Sequence, residues 1–269
     1  MRKRNPAAVP AGADLRADRR FVESLARGLA VLRCFSPADR ELGNREIATR
    51  TGLPPATVSR LTFTLTALGY LSYAPERARY ALGIGVLTLG FRLLSRIDLR
   101  RIARPAMQAL AERTGSTVSL SARHQTSMVY LEVCRSASPL TMAVDVGARI
   151  PLATTAMGRA LLCASSEPER ARLFDLLKAQ APLEWPARLG GLDRALRDYR
   201  QFGFVTTEGE WHADISAVGV PLVINAGDEI LALSCGGPAC NMTRTVLVEQ
   251  LGPLLLRLAA EVQAAGDGR

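Results

Sequence analysis

The 269-residue sequence predicts an α+β fold, in which a small N-terminal domain of helices precedes a larger domain with an antiparallel sheet. Helical spacings of three and four recur before residue 115, and strand-like alternation becomes prominent after residue 117. The charge divides in the same way. Residues 1–104 contain 19 Lys and Arg against 8 Asp and Glu, a net charge of +11, whereas residues 105–269 contain 15 against 17, a net charge of −2. The basic part of the chain therefore suits a polyanionic partner.

The first 20 residues combine basic side chains with Pro and Ala and lack the apolar centre of a secretory signal, so a flexible basic tail is expected there. No apolar run approaches the roughly 18 residues that cross a bilayer, which predicts a cytoplasmic protein without membrane association. The five cysteines form no C-x-x-C pair and the two histidines lie far apart, so we expect neither a metal site nor a cofactor.

The N-terminal domain begins with three short helical patterns. The first helix is expected from Glu23 to Phe35, with one apolar stripe of residues: Val22, Leu25, Leu29 and Leu32. A second helix is expected over residues 45–50, with Asn44 as its N-cap and Gly52 in the left-handed conformation that ends many helices. Two prolines, residues 54 and 55, suit the opening turn of a third helix.

The third helix has two different faces. An apolar stripe is formed by Val58, Leu61, Leu65 and Leu68. At 100° per residue, the opposite face carries Ala56, Ser59, Arg60 and Phe63, with Thr57 at its flank. Residues 70–73 and 79–82 are then expected to pair as a hairpin. Three helices followed by a hairpin are the layout of a winged helix-turn-helix, which we assign to residues 21–83.

A helix that reads a DNA groove needs small residues at its leading edge and donors that reach bases and phosphates. The outer face of the third helix has both, and Arg60 could donate to guanine or to a phosphate. Contacts with double-stranded DNA are therefore predicted for the following residues: Arg45, Thr57, Ser59, Arg60, Arg77 and Arg79. The alternative is a helical hairpin that only fills a core, which the net charge of +11 disfavours.

Residues 84–97, IGVLTLGFRLLSRI, form a linker helix that is apolar around its whole circumference. Such a helix has to be covered on all sides, which one short domain does not easily achieve. We predict that it packs against the same helix of a second chain in a homodimer. Packing between two domains of one chain is the alternative.

Residues 98–269 are expected to form the second domain, in which strands alternate with helices and hairpins are prominent. The expected elements are a helix over 98–115, a strand pair within 117–133, a strand from Leu140 to Ile150, helices near 155–164, 167–179 and 193–201, a hairpin of strands 216–224 and 229–235, and a terminal helix over 243–264. This order predicts an antiparallel sheet.

Four segments resemble, in order and spacing, the IclR-type bacterial transcriptional regulators. They are SLARGLAVLRCF, NREIATRTGLPPATVSRLTFTLTALGYL, RYALGIGVLTLG and GARIPLATTAMGRALL. The resemblance runs from about Phe21 to Ala264. It implies a winged helix, a linker helix and a GAF-like effector-binding domain in a regulator whose operator binding a small molecule controls. Members of the family are dimers or pairs of dimers that repress or activate catabolic operons.

The resemblance also implies an effector pocket between the sheet and the helix that follows PLATTAMGRA. Carried over by motif, the positions that would line it are Met157, Thr207, Ala217 and Ser234. The backbone of Met157 would lie near a ligand carboxylate, and the Ser234 hydroxyl would donate to ligand oxygens, so a small organic acid is the expected effector. Thr207 stands where many relatives have Asp, Ala217 where some have Cys, and Gly236 where a second hydroxyl is common. A changed set of polar groups implies a changed ligand.

Two other classes of function are possible. An enzyme is disfavoured, because the chain contains no G-x-S-x-G, H-E-x-x-H or G-x-x-x-x-G-K-[ST] motif and its lone histidines, His124 and His212, are more simply structural. A redox sensor would use Cys235 and Cys240, although nothing in the sequence activates these thiols. The simplest interpretation of the cysteines is a set of buried, reduced thiols.

Overall fold

The structure is a computed structural model that describes residues 18–96, 98–137, 144–224 and 229–267, so most of the expected basic tail lies outside the described residues. The chain divides near residue 97 into two compact units. Within the described ranges, no helix is long and apolar enough to cross a membrane.

Over residues 18–96, the N-terminal unit contains four helices and three short strands. They are α1 Glu23–Arg33, β1 Leu42–Gly43, α2 Asn44–Thr51, α3 Pro55–Ala67, β2 Leu71–Ala74, β3 Arg79–Leu82 and α4 Ile84–Arg96. The three helices and the hairpin are thus confirmed. The sequence analysis missed β1, which pairs antiparallel with β3 and gives a sheet of order β1-β3-β2.

The core of this unit differs in part from the expected apolar stripes. Val31 is fully buried in α1, whereas Val22, Leu25 and Leu29 are between 42% and 63% exposed. The predicted stripe of α1 is therefore wrong at these three positions, and only its fourth member, Leu32, packs against the core. The helix has two apolar sides, and only the side with Val31 packs against α2 and α3. Leu68 is also exposed, because it follows the last residue of α3 and the chain turns away at the next residue.

One glycine conformation and two hydrogen bonds fix the ends of α2 and its junction with α3. Gly52 ends α2 in the expected left-handed conformation, with φ +68°. The predicted N-cap is wrong, because Gly43 occupies that position and its N–H donates to the Glu46 carboxylate at 2.6 Å. The Asn44 amide is therefore free to donate to the Pro55 carbonyl at 3.1 Å, which joins the first turns of α2 and α3.

The C-terminal unit builds one six-stranded sheet and surrounds it with helices. Its elements are α5 Asp98–Thr114, β4 Thr117–His124, β5 Ser127–Arg135, β6 Arg149–Pro151, α6 Ala156–Ala164, α7 Glu167–Gln180, α8 Trp185–Phe202, β7 Val205–Glu208, β8 Ile215–Ile224, β9 Glu229–Pro238, a π-helical segment Val246–Leu251 and α9 Gly252–Asp267. The strand order is β6-β5-β4-β9-β8-β7, and every pair is antiparallel, as predicted.

Helices cover the central strands so completely that strand alternation is partly hidden. In β4 the hydroxyl residues Ser119 and Ser121 are as buried as Val118 and Leu120. Helix α6 packs on β8 and β9, α9 packs on β8, and α5 packs on α9 and β5. A sheet covered on both faces buries consecutive residues of its central strands.

Three elements differ from their predicted boundaries. The strand expected over 140–150 is reduced to β6, because residues 144–148 contain a turn at Gly147 (φ +87°), and residues 140–143 lie outside the described residues. Helix α8 begins eight residues earlier than expected, at Trp185. Gly191 lies inside this helix without breaking it. A Cβ at this position would lie 2.2 Å from an Arg159 nitrogen, so glycine leaves the room that the Arg159 side chain occupies. The terminal helix is π-helical over its first segment.

Candidate nucleic-acid interface and ligand pocket

The outer face of α3 is open, as the sequence pattern indicated. Ser59, Arg60 and Phe63 are exposed and Thr57 is half-buried. The Ser59 hydroxyl donates to the Pro55 carbonyl at 3.1 Å, so its oxygen lone pairs remain available as acceptors. Among the residues that the structure describes, no carboxylate pairs with Arg60.

A surface groove of about 760 Å³ runs between α1 and this face of α3. It is lined by Glu23, Ser24, Arg27, Thr57, Ser59, Arg60, Leu61, Phe63 and Thr64. Arg27 pairs with Glu23 at 2.8 Å within α1. The charge of Arg60 is therefore the one in this groove that no described carboxylate neutralises. Four of the other lining residues carry hydroxyl groups, and Leu61 and Phe63 are apolar.

Two of the predicted DNA contacts are paired within the N-terminal unit. Arg77 binds the Glu41 carboxylate at 2.5 Å and Arg79 binds Glu46 at 2.6 Å. The hydrogen bond from Arg77 lowers the pKa of the Glu41 carboxyl, so this pair stays ionised. Both arginines therefore hold the β2–β3 hairpin against the segment that begins α2. Arg45, in the first turn of α2, is exposed and pairs with no described carboxylate.

The four predicted effector residues line one cavity in the C-terminal unit. Its complete lining is Tyr130, Ile150, Thr155, Ala156, Met157, Thr207, Trp211, Ile215, Ala217, Ser234 and Gly236. The space inside is about 20 Å³, which is enough for roughly one water molecule. The pocket is thus assembled but nearly closed.

The first turn of α6 forms one wall of this cavity. Thr155 caps the helix by accepting a hydrogen bond from the Gly158 N–H at 3.3 Å. A Cβ on Gly158 would lie 2.1 Å from the Leu152 carbonyl, and a Cβ on Gly219 would lie 2.4 Å from the Ala156 carbonyl. These two glycines therefore let the start of α6 lie against the preceding loop and against β8. The helix N-terminus carries a partial positive charge that favours anions.

The sheet provides the other wall. Register places Thr207, Ala217 and Gly236 side by side on β7, β8 and β9, and Ser234 lies two residues before Gly236 on the same face of β9. Thr207 and Ser234 are buried, yet neither hydroxyl has a hydrogen-bond partner among the described residues. Both oxygens keep some accessible surface, so they are available to a water molecule or a polar ligand in the cavity. No charged side chain lines the cavity.

The turn between β7 and β8 covers the cavity with Trp211. The preceding residue, Glu210, accepts hydrogen bonds from Arg159 at 2.9 Å and Arg194 at 2.7 Å. The Arg159 side chain is fully buried, and its Nε donates to the Ala153 carbonyl at 2.9 Å. The sequence analysis missed this cluster, because its members lie on α6, α8 and the turn and share no local pattern.

Thiol and metal chemistry receive no support from the geometry. Cys235 is completely buried in β9, and burial raises the pKa of its thiol, which disfavours the reactive thiolate. Cys240 is exposed beyond the end of the same strand. Across the described part of the chain, no group of three or more His, Cys, Asp or Glu side chains could hold a metal ion.

Comparison with known proteins gives matches over both units. The model of the IclR helix-turn-helix domain matches residues 24–75, and the model of the bacterial transcriptional regulator IclR C-terminal domain matches residues 91–264. The HTH-type transcriptional regulator TsaQ1/TsaQ2 of Comamonas testosteroni is 37% identical over 246 residues, which cover 91% of this chain and 88% of that protein.

A second relative and a solved structure also match the chain over most of its length. The HTH-type transcriptional regulator KdgR of Escherichia coli K12 is 28% identical over 245 residues, covering 91% of this chain and 93% of that protein. The crystal structure of an IclR family transcriptional regulator from Brucella abortus has a TM-score of 0.84 and 44% identity, and the alignment covers 92% of this chain and 94% of that one.

Glu210→Gln is expected to lower the free energy of unfolding by about 2 kcal/mol, because it leaves the buried Arg159 charge without its carboxylate. Arg194→Gln is the matched control. It removes the more exposed partner of the same carboxylate and should cost less than about 1 kcal/mol. Urea unfolding of the two variants measures the difference, and equal losses would show that Arg159 does not depend on Glu210.

Proposed function

The chain belongs to the IclR family of bacterial transcriptional regulators, and we propose that α3 reads its operator while the cavity beside α6 binds the small organic acid that controls this binding. The observation that carries the first part is the exposed face of α3, where no described carboxylate neutralises Arg60. A regulator of this kind works in the cytoplasm, where the DNA is, and performs no catalysis.

The geometry of the N-terminal unit supports major-groove reading by α3. The contact between Asn44 and Pro55 sets the angle between α2 and α3, as a helix-turn-helix requires. Thr57 and Ser59 are small enough for the backbone to approach the base edges, and Arg60 reaches a guanine or a phosphate. Arg45, at the start of α2, adds a phosphate contact.

The hairpin arginines contribute in a different way. Glu41 uses the Nε and Nη2 donors of Arg77, which leaves Nη1 free to donate to a phosphate. Arg79 is bound to Glu46 and also donates to the Glu41 carbonyl at 3.3 Å. Because each arginine is already paired with a carboxylate, the pair carries no net charge. These pairs therefore orient the hairpin on DNA and add little to the release of counterions from the DNA.

A second copy of the chain covers α4. Ile84, Leu87, Leu89 and Leu93 are all more than half exposed in the single chain, and a run of apolar side chains this large marks an interface. The exposed side of α1 provides a further apolar surface in the same unit. We propose a homodimer paired through α4, and a tetramer would be a pair of such dimers.

The cavity suits a carboxylate. The amide groups in the first turn of α6 and the hydroxyls of Thr207 and Ser234 supply donors, and no acidic side chain opposes them. The cavity has to widen to admit any organic acid, so the ligand binds a form with a wider cavity more tightly than it binds the closed form. A differential affinity of this kind typically changes the affinity of a second site by about 1–3 kcal/mol.

Arg60→Ala is expected to weaken DNA binding about 10- to 100-fold, the range for one lost bidentate base contact. The probe is a duplex that the native protein selects from a random pool, and binding is measured by fluorescence anisotropy at fixed salt. Arg172→Ala, which removes an arginine paired with Glu169 in α7, is the control and should leave binding unchanged. Full-strength binding by Arg60→Ala would reject α3 as the reading helix.

Leu87→Asp is expected to convert the dimer to monomers, because it buries a charge in the apolar contact between two α4 helices. Sedimentation velocity measures the change. Leu183→Asp is the matched control, since Leu183 is 96% exposed in the C-terminal unit and lies outside the proposed interface. A native chain that sediments as a monomer, or an unchanged dimer in Leu87→Asp, would contradict pairing through α4.

A thermal-shift screen of small organic acids against the full chain should identify acids that raise the melting temperature. Ser234→Ala is expected to weaken the best of them about 10-fold, the typical contribution of a hydrogen bond to a charged group. Ser166→Ala removes an exposed hydroxyl outside the cavity and should have no effect. An acid that binds Ser234→Ala as tightly as the native chain does not use this cavity.

A further inference from the structure

A third hydroxyl without a partner belongs to the same cavity, in addition to those of Thr207 and Ser234. Tyr130 lines it and is 2% exposed, and the phenol oxygen has no hydrogen-bond partner among the described residues. Burial raises the pKa of the phenol to about 12, so it is neutral at physiological pH and can both donate and accept a hydrogen bond. Neither the family resemblance nor any local sequence pattern pointed to this residue.

The sheet register places Tyr130 away from the other hydroxyls. Tyr130 lies opposite Ser121 on β4, and Ser121 lies opposite Ala232 on β9, two residues before Ser234. At the usual spacings of a sheet, the Cα atoms of Tyr130 and Ser234 are about 10 Å apart across the strands and about 7 Å along them. Thr207 is two strands farther still, on β7.

The polar residues of the lining therefore start from two separate parts of the sheet. Thr207 and Ser234 are on β7 and β9, near the first turn of α6, whose Ala156 lies against Gly219 of β8. Tyr130 is on β5. Met157 and Ile150 belong to the same apolar cluster as Tyr130 and line the cavity with it.

We propose that Tyr130 selects the effector by pairing with a second, uncharged polar group at the end of the molecule opposite its carboxylate. This inference rests on the proposed function of the cavity. An acid without such a group leaves the buried phenol unpaired, and a site built to pair a polar group discriminates strongly against ligands that lack it.

The same surroundings exclude a second carboxylate. No cationic side chain lines the cavity, so a charge beside Tyr130 would be buried without a counter-ion. The effector is therefore a monocarboxylate with a hydroxyl, carbonyl or amide group at its far end. Plain hydrocarbon acids and dicarboxylates bind weakly.

The test compares acids that differ by one hydroxyl group. The probes are phenylacetate with 4-hydroxyphenylacetate, benzoate with 3-hydroxybenzoate, and hexanoate with 6-hydroxyhexanoate, and terephthalate and adipate represent dicarboxylates. Binding to the full chain is measured by calorimetry. In the native protein, the hydroxylated member of at least one pair should bind about 10- to 100-fold tighter. Tyr130→Phe should reduce this ratio to about one by weakening the hydroxylated member only.

Two further measurements separate recognition from a structural role. Without ligand, Tyr130→Phe should melt at the native temperature or above it, because the deleted hydroxyl has no partner in the fold. A hydroxyl that supports the fold would instead lower the melting temperature. Ser234→Ala should weaken both members of a pair alike. Tyr73→Phe makes the same substitution on the N-terminal hairpin and should change nothing.

The possible failures differ in what they overturn. A preference that survives in Tyr130→Phe, or tighter binding of the dicarboxylates, overturns the role of Tyr130. The proposed function still stands in that case, provided that Ser234→Ala weakens binding. If no acid of the panel binds the native chain, both the organic-acid effector and the role of Tyr130 are overturned.

Discussion

The cavity of the C-terminal unit depends on a buried charge beside it, the guanidinium of Arg159. A buried arginine has to be paired, and here Ala153 and Glu210 supply its acceptors, while Gly191 on α8 leaves room for it. Through these contacts one side chain joins α6, α8, the loop before α6 and the turn that carries Trp211. The wall of the cavity and its cover therefore share a single anchor, so widening the pocket at Trp211 acts against the Arg159–Glu210 pair.

In the N-terminal unit, ion pairs determine which part of the positive charge remains available. Arg50 pairs with Asp39, and the hairpin arginines pair with Glu41 and Glu46. The net charge of +11 already subtracts these carboxylates, so the ion pairs change where the positive charge lies and not how large it is. Arg45 and Arg60 have no carboxylate partner among the described residues, and the same holds for the exposed Arg33 and Arg40. Composition indicated the sign of the partner, and Arg45 and Arg60 are the free charges that lie on the two helices of the helix-turn-helix.

Features that depend on neighbouring residues were predictable from the sequence. The helix-turn-helix, the left-handed Gly52 and the antiparallel hairpins follow from local spacing and turn chemistry. The four effector positions, which line one cavity, came from the family resemblance instead. Features that depend on distant partners were not. The exposed side of α1 has the same period as its buried side, so the pattern alone could not choose between them. Arg159 and Glu210 are 51 residues apart, and the unpaired phenol of Tyr130 is recognisable only once the fold surrounds it.

The closed cavity limits how a ligand can control the regulator. A space of about 20 Å³ admits roughly one water molecule, so the proposed organic acid could bind only a form in which Trp211 or its neighbours have moved. The free energy available for regulation is then the difference in the affinity of the acid for the two forms, and it cannot exceed that difference. The unpaired hydroxyls of the cavity enlarge this difference in affinity, because each hydrogen bond to the ligand forms only in the widened form. In the proposed function, these hydrogen bonds are therefore what gives the effector its influence on DNA binding.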